Sequence, residues 1–120
     1  MKYTLSDVVA YKDFDIALGT FLDAFRRREN AVRILMIAER PHAENANKLT
    51  MCLAAAIAHK LANDAGITPP DWVHDPALSM PFPIYAHDIT NPEYQQFLRE
   101  TSPIEYASRN LFYGAVLERV

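Results

Sequence analysis

The sequence predicts an all-α protein: a compact, single-domain bundle of about five helices with an irregular, proline-rich segment packed across it. Three observations lead there. Apolar residues recur at helical spacing through most of the 120 residues. No stretch alternates apolar and polar residues between turn signals, as a half-buried sheet requires. Six of the eight prolines lie between Ile67 and Pro92, and they carry the single tryptophan, Trp72, with Phe82 and Tyr85. Such a segment is excluded from helix and is held by side-chain packing instead.

Each element has its own signal. Ser6 and Asp7 predict a capped turn near the start. Phe14, Leu18, Phe21, Leu22 and Phe25 form the stripe of an amphipathic helix, with Asp13 and Asp15 at its start and Arg26, Arg27 and Arg28 at its end, the charge order that complements the helix dipole. Val32, Ile34, Leu35, Met36 and Ile37 form a compact apolar run; its neighbours favour helix, and Pro41 is expected to stop it.

From Glu44 to Ala65 an alanine-rich run places Leu49, Leu53, Ala56, Ile57, Lys60 and Leu61 on one side and ends at Gly66. Its small residues suit close approach by neighbours, which predicts the central helix. Pro81 to Tyr85 reads as an extended piece. Asn91-Pro92-Glu93 is a helix start, with Tyr94, Phe97 and Leu98 expected to face inward. Ser102-Pro103-Ile104-Glu105 repeats that grammar for a short helix to about Arg109. A turn at Gly114 and a last helical turn with Val116, Leu117 and Val120 are expected at the end.

Composition bounds the function classes. With 50% hydrophobic and 22% charged residues, the chain suits one domain, residues 1–120, in which 67–91 is a connecting segment. A net charge of −3 gives no overall attraction to nucleic acid or anionic lipid. Cys52 is the single cysteine, the first residues lack the apolar core of a signal peptide, and no run of about 18 apolar residues offers a membrane span. The expectation is a cytoplasmic protein with no membrane association.

Catalytic signals are sparse. His42, His59, His74 and His87 make no local pair at i, i+3 or i+4, so a small metal-dependent hydrolase requires folding to bring at least two together. Asp75 and Asp88 follow two of them. Cys52, between Met51 and Leu53, reads as a buried hydrophobe rather than a nucleophile. Three glycines leave no loop to cradle a phosphate. No cofactor, metal or catalytic residue is expected.

Two clusters suit binding. Arg26, Arg27, Arg28 and Arg33, with Arg40 following, form a basic group that a nucleic-acid-binding regulator would use; a solvated helix end is the plainer reading. The rings of Trp72, Phe82, Tyr85, Tyr106, Phe112 and Tyr113 concentrate potential contact area, each able to bury about 150–250 Å².

Pro70-Asp71-Trp72-Val73, Pro81-Phe82-Pro83, Ser102-Pro103 with Tyr106, and Arg109-Asn110-Leu111-Phe112 together resemble a family of small uncharacterised bacterial helical proteins. Phe21-Leu22-Asp23-Ala24-Phe25 fits an early element of that family, so the likeness runs from Leu18 to the end. The chain departs from it in having Met80-Pro81-Phe82 where Trp-Phe-Pro is commoner and Tyr106 where Phe is usual. Such proteins are often encoded beside a nucleotidyltransferase-like partner, as in toxin–antitoxin or defence operons. The resemblance implies a non-catalytic protein-interaction module, antitoxin-like towards a nucleotidyltransferase-type toxin. Trp72, Phe82, Tyr106, Arg109 and Phe112 are then the expected contacts, and alanine at Trp72 or Arg109 is expected to weaken binding without loss of fold.

Overall fold

The computed structural model describes residues 4–10, 14–41, 47–86 and 89–113. Six α-helices run in chain order: α1 (Leu5–Ala10), α2 (Phe14–Arg26), α3 (Asn30–Ile37), α4 (Lys48–Ala65), α5 (Pro92–Thr101) and α6 (Ile104–Ala107). Between α4 and α5 lie two 3-10 turns, Asp71–His74 and Pro76–Leu78, and the short strand β1 (Ile84–Tyr85). After α6, β2 (Leu111–Phe112) pairs with β1 in parallel, Ile84 opposite Leu111 and Tyr85 opposite Phe112. The predicted all-α class holds, with two-residue strands as the sole sheet among the described residues.

Local chemistry sets the helix ends. The Thr4 hydroxyl accepts the Asp7 N–H, so Thr4 caps α1, two residues before the expected Ser6. Asn47 caps α4 by accepting from the Thr50 N–H at 2.8 Å. Gly66 ends that helix in the left-handed region, φ 72°, where a side chain carries a steric penalty. Asn91 accepts from both the Glu93 and Tyr94 N–H groups and starts α5 as its sequence predicts. Ser102 differs from expectation. Its hydroxyl donates to the Leu98 carbonyl at 2.6 Å, so it closes α5, and the N-cap of α6 is Pro103.

Helix α4 is central. It packs against α1, α3, α6 and both 3-10 turns, and Ala54, Ala55, Ala56 and Ala58 are buried in it. Small side chains at these positions let several backbones approach one helix at once. Leu5 and Val8 of α1, Phe21, Leu22 and Phe25 of α2, Ile37 of α3 and Ile57 and Leu61 of α4 share one apolar cluster with Val73, Tyr106 and Leu111. Leu18 and Leu49 pack at its margin. Met36 and Ile37 are the buried residues of α3, while Ile34 and Leu35 of the same apolar run are exposed.

The proline-rich segment lies against this body as a clasp. Trp72 donates its indole N–H to the Ile37 carbonyl at 3.0 Å, and Arg40 pairs with Asp75. Its far end is held by the chain after α6. The Met80 N–H donates to the Arg109 carbonyl at 3.1 Å, the Ile84 N–H to the Asn110 carbonyl at 2.8 Å, and the Asn110 amide to the Met80 carbonyl at 2.8 Å. Asn110 adopts φ 63°, a left-handed backbone that asparagine tolerates better than most residues. Leu111 and Phe112 form the strand β2, for which the sequence gives no local signal. The turn at Gly114 and the later helical turn lie outside the described residues, as do Asp13, Glu44, His42, His87 and Asp88.

Candidate functional site

Among the described residues, two places bring candidate side chains together: a polar cluster between α4, α6 and the first 3-10 turn, and an aromatic surface on α5 and the strands.

Arg109 organises the cluster. It is 6% exposed, and its guanidinium donates to the Glu105 carbonyl at 2.6 Å and to the Val73 carbonyl at 2.5 Å. Helix α6 ends two residues before it, and the Arg109 N–H itself goes to Tyr106, so the side chain takes a carbonyl left over at the helix end. Both terminal nitrogens also lie 3.4 Å from Nδ1 of His59 on α4. A guanidinium can only donate. Nδ1 of His59 is therefore the acceptor, and the neutral ring carries its proton on Nε2.

His74, from the first 3-10 turn, sets its ring edge against His59 with centroids 5.3 Å apart. Folding thus joins two of the four histidines. His42 and His87 lie outside the described residues. Among the described residues no three histidine, cysteine or acidic side chains are grouped to hold a metal ion.

The surrounding electrostatics are consistent with this packing. Burial, the Arg109 charge and His74 hold His59 below its ordinary value against the pull of Glu105. Burial pushes the Glu105 carboxyl up, but the Asn63 amide at 2.7 Å, a backbone N–H, Lys60 and His59 outweigh it and leave it below the usual range. Lys60 is paired with Asp64 at 3.0 Å. Cys52 is buried, and desolvation raises its thiol despite Lys48 and Arg109, which fits a packing residue rather than a nucleophile.

The expected contact residues separate into three groups. Tyr106, 1% exposed, is a core ring whose burial pushes its phenol well up; with Arg109 it is enclosed and offers no surface to a partner in this conformation. On the same ground, alanine at Arg109 is expected to cost stability. Trp72 is half-buried and committed to Ile37. Phe112 is half-buried and stacks on Tyr85 at 5.5 Å, while Arg99 of α5 lies over the other ring and donates to the Tyr85 hydroxyl at 2.6 Å. Phe82 alone of the five is strongly exposed, at 57%.

Among the basic residues, Arg26, Arg27 and Arg28 are exposed at the end of α2. Arg33 is not spread for binding: it donates to the carbonyls of Phe25 and Arg26 and lies over the Phe25 ring at 5.2 Å. It closes the C-terminus of α2.

Helix α5 supplies what the sequence pattern missed. Tyr94 and Phe97 were expected to face inward with Leu98, but they are 50% and 53% exposed, and Leu98 alone of the helix is buried. At about 100° per residue, Phe97 and Arg99 flank Leu98 on opposite sides. Arg99 reaches the strands, and Phe97 is left outward with Tyr94, their centroids 5.8 Å apart. Asn91 and Glu93 border the shallow depression beside them. The signal was present in the shortness of the helix, since a ten-residue helix packed on two-residue strands has little to bury a wide stripe against.

Fold and surface together define a small all-α protein with a clasped proline-rich segment and an outward aromatic face. No helix among the described residues is long and apolar enough to cross a membrane. Comparison with protein-family models, with curated proteins and with solved structures finds no match.

Proposed function

We propose that this chain is a non-catalytic protein-interaction module that binds a nucleotidyltransferase-like protein, antitoxin-like, through the aromatic face of α5 with Phe82 as a further contact. The observation that carries the reading is the exposed Tyr94–Phe97 pair on a capped, regular helix. Rings of this kind, rigid and half out of water, supply large contact area at low entropic cost and dominate the energetics of many interfaces. The polar rim of Asn91 and Glu93 beside them fits the anatomy of such a surface. The partner class comes from the family resemblance; the choice of surface comes from exposure, which moves the contact set from Tyr106 and Arg109 to Tyr94 and Phe97.

The test is a pull-down of the tagged chain from its native cell after nuclease treatment, with mass spectrometry for a nucleotidyltransferase-like protein, followed by titration of the recovered partner. Tyr94→Ser with Phe97→Ser is expected to weaken binding at least tenfold, about 1.4 kcal/mol, with unchanged helical CD and melting temperature. Binding that survives the double substitution refutes the surface. Recovery that disappears with nuclease, or no complex at all, refutes the partner and returns attention to Arg26, Arg27 and Arg28.

A further inference from the structure

The clasp is fastened to the helical body through an acceptor that a proton removes. Arg109 is held by two carbonyls, one on α6 and one on the first 3-10 turn, and its third contact is the Nδ1 lone pair of His59. Protonation of His59 replaces that lone pair with an N–H directed at two guanidinium nitrogens 3.4 Å away. Arg109 cannot relieve the conflict by giving up its own proton.

The groups that face His59 settle which way the cluster responds. From α6 and the turn after it come Glu105, which attracts a proton to the ring, and Arg109, which repels one. From the 3-10 turn comes His74, a second imidazole that repels once charged. On α4 itself, Asn63 engages the Glu105 carboxylate, and Lys60, paired with Asp64, adds positive charge beside it. Repulsion and burial prevail over Glu105 among the described residues.

The parts joined at this cluster differ in their other holdings. Helices α4 and α6 share the apolar core. The turn Asp71–His74 is four residues long and is tied down by the Arg109 bond to Val73, the Trp72 bond to Ile37 and the burial of Val73. Unlike α4, it has no long run of helical hydrogen bonds to hold it when one of these ties is lost.

We propose that His59 is a proton-sensitive latch: in mild acid its charged ring drives Arg109 from its place and releases the proline-rich clasp from the helical body, while the helices stay folded. The sign follows from linkage. A histidine held below its ordinary value in the closed state contributes fully above 6.5, and that contribution is lost as pH falls from there through the closed-state value. The inference stands independently of the proposed partner.

Trp72 is the sole tryptophan and sits on the clasp, so its emission reports the latch directly. The purified chain is expected to show a red shift of that emission with a midpoint below 6.5 while far-UV CD is unchanged. His59→Gln retains an oxygen acceptor for Arg109 but does not titrate, and is expected to abolish the shift. His74→Gln removes one repelling charge and is expected to move it to lower pH. Nitrogen NMR of the wild-type imidazoles gives a reading that needs no variant: a neutral Nε2–H ring at His59, titrating below 6.5. An emission change that appears only with loss of helix, one that persists in His59→Gln, or a His59 ring that titrates at or above 6.5 overturns the proposal.

Discussion

Replacing Arg109 by alanine separates a framework residue from a contact residue in one experiment. The guanidinium makes two hydrogen bonds to carbonyls in a region where Val73 is buried, at 2.6 and 2.5 Å. A hydrogen bond from a charged donor contributes about 1.5–3 kcal/mol, and a buried acceptor left without a partner costs about 1–3 kcal/mol. These are two descriptions of overlapping losses, so they do not add. The expected destabilisation of Arg109→Ala is about 3–5 kcal/mol, a large share of the roughly 5–15 kcal/mol by which ordinary domains are stable. Arg109→Lys keeps the charge but lacks the fork that reaches two carbonyls and is expected to fall between the two. Urea unfolding followed by CD, near neutral pH where His59 is uncharged, measures all three proteins. A loss below about 1 kcal/mol in the alanine variant, the range of an exposed side chain, refutes the assignment of Arg109 to the framework.

Two further substitutions check the local arguments. Gly66→Ala meets no atom within 4 Å but must hold φ 72°, so the expected cost in urea unfolding is the left-handed penalty alone, about 1–2 kcal/mol. Glu105 lies below its ordinary value in the folded chain, so its contribution is present above 4.5 and lost as pH falls through the folded value. Glu105→Gln is expected to flatten that acid limb of the stability profile, and an unaltered limb counts against the Asn63 and Lys60 contacts.

The helices were legible because their signals are local. The Phe21, Leu22 and Phe25 stripe, the alanines of α4, Gly66 at its end and Asn91 before Pro92 each act within a turn or two of chain, and each takes its expected role. The site was less legible because it depends on distant pairings. His59 and Arg109 are 50 positions apart, and His59 and His74 meet only because the clasp folds back over α4. Periodicity finds the side of a helix that is apolar, but not how much of that side another element covers. In α4, surrounded by neighbours, the stripe is buried from Ala56 to Leu61; in α5 the same pattern buries Leu98 and leaves Tyr94 and Phe97 in water.

That difference bears on what the residues around the clasp do. In Arg109-Asn110-Leu111-Phe112, the first residue ties α6 to the clasp, the second takes the left-handed backbone and bonds Met80, the third enters the core, and the fourth stacks on Tyr85. Trp72, after Pro70, bonds the end of α3. Each of these residues serves the packing of the proline-rich segment against the helices. Residues that meet a partner are under a different constraint: they need to be exposed, and nothing inside the fold selects their identity. Tyr94, Phe97 and Phe82 satisfy that condition and lie outside the tetrapeptide. The clasp residues therefore build the scaffold, while the exposed rings of α5 are a surface that the scaffold presents to water.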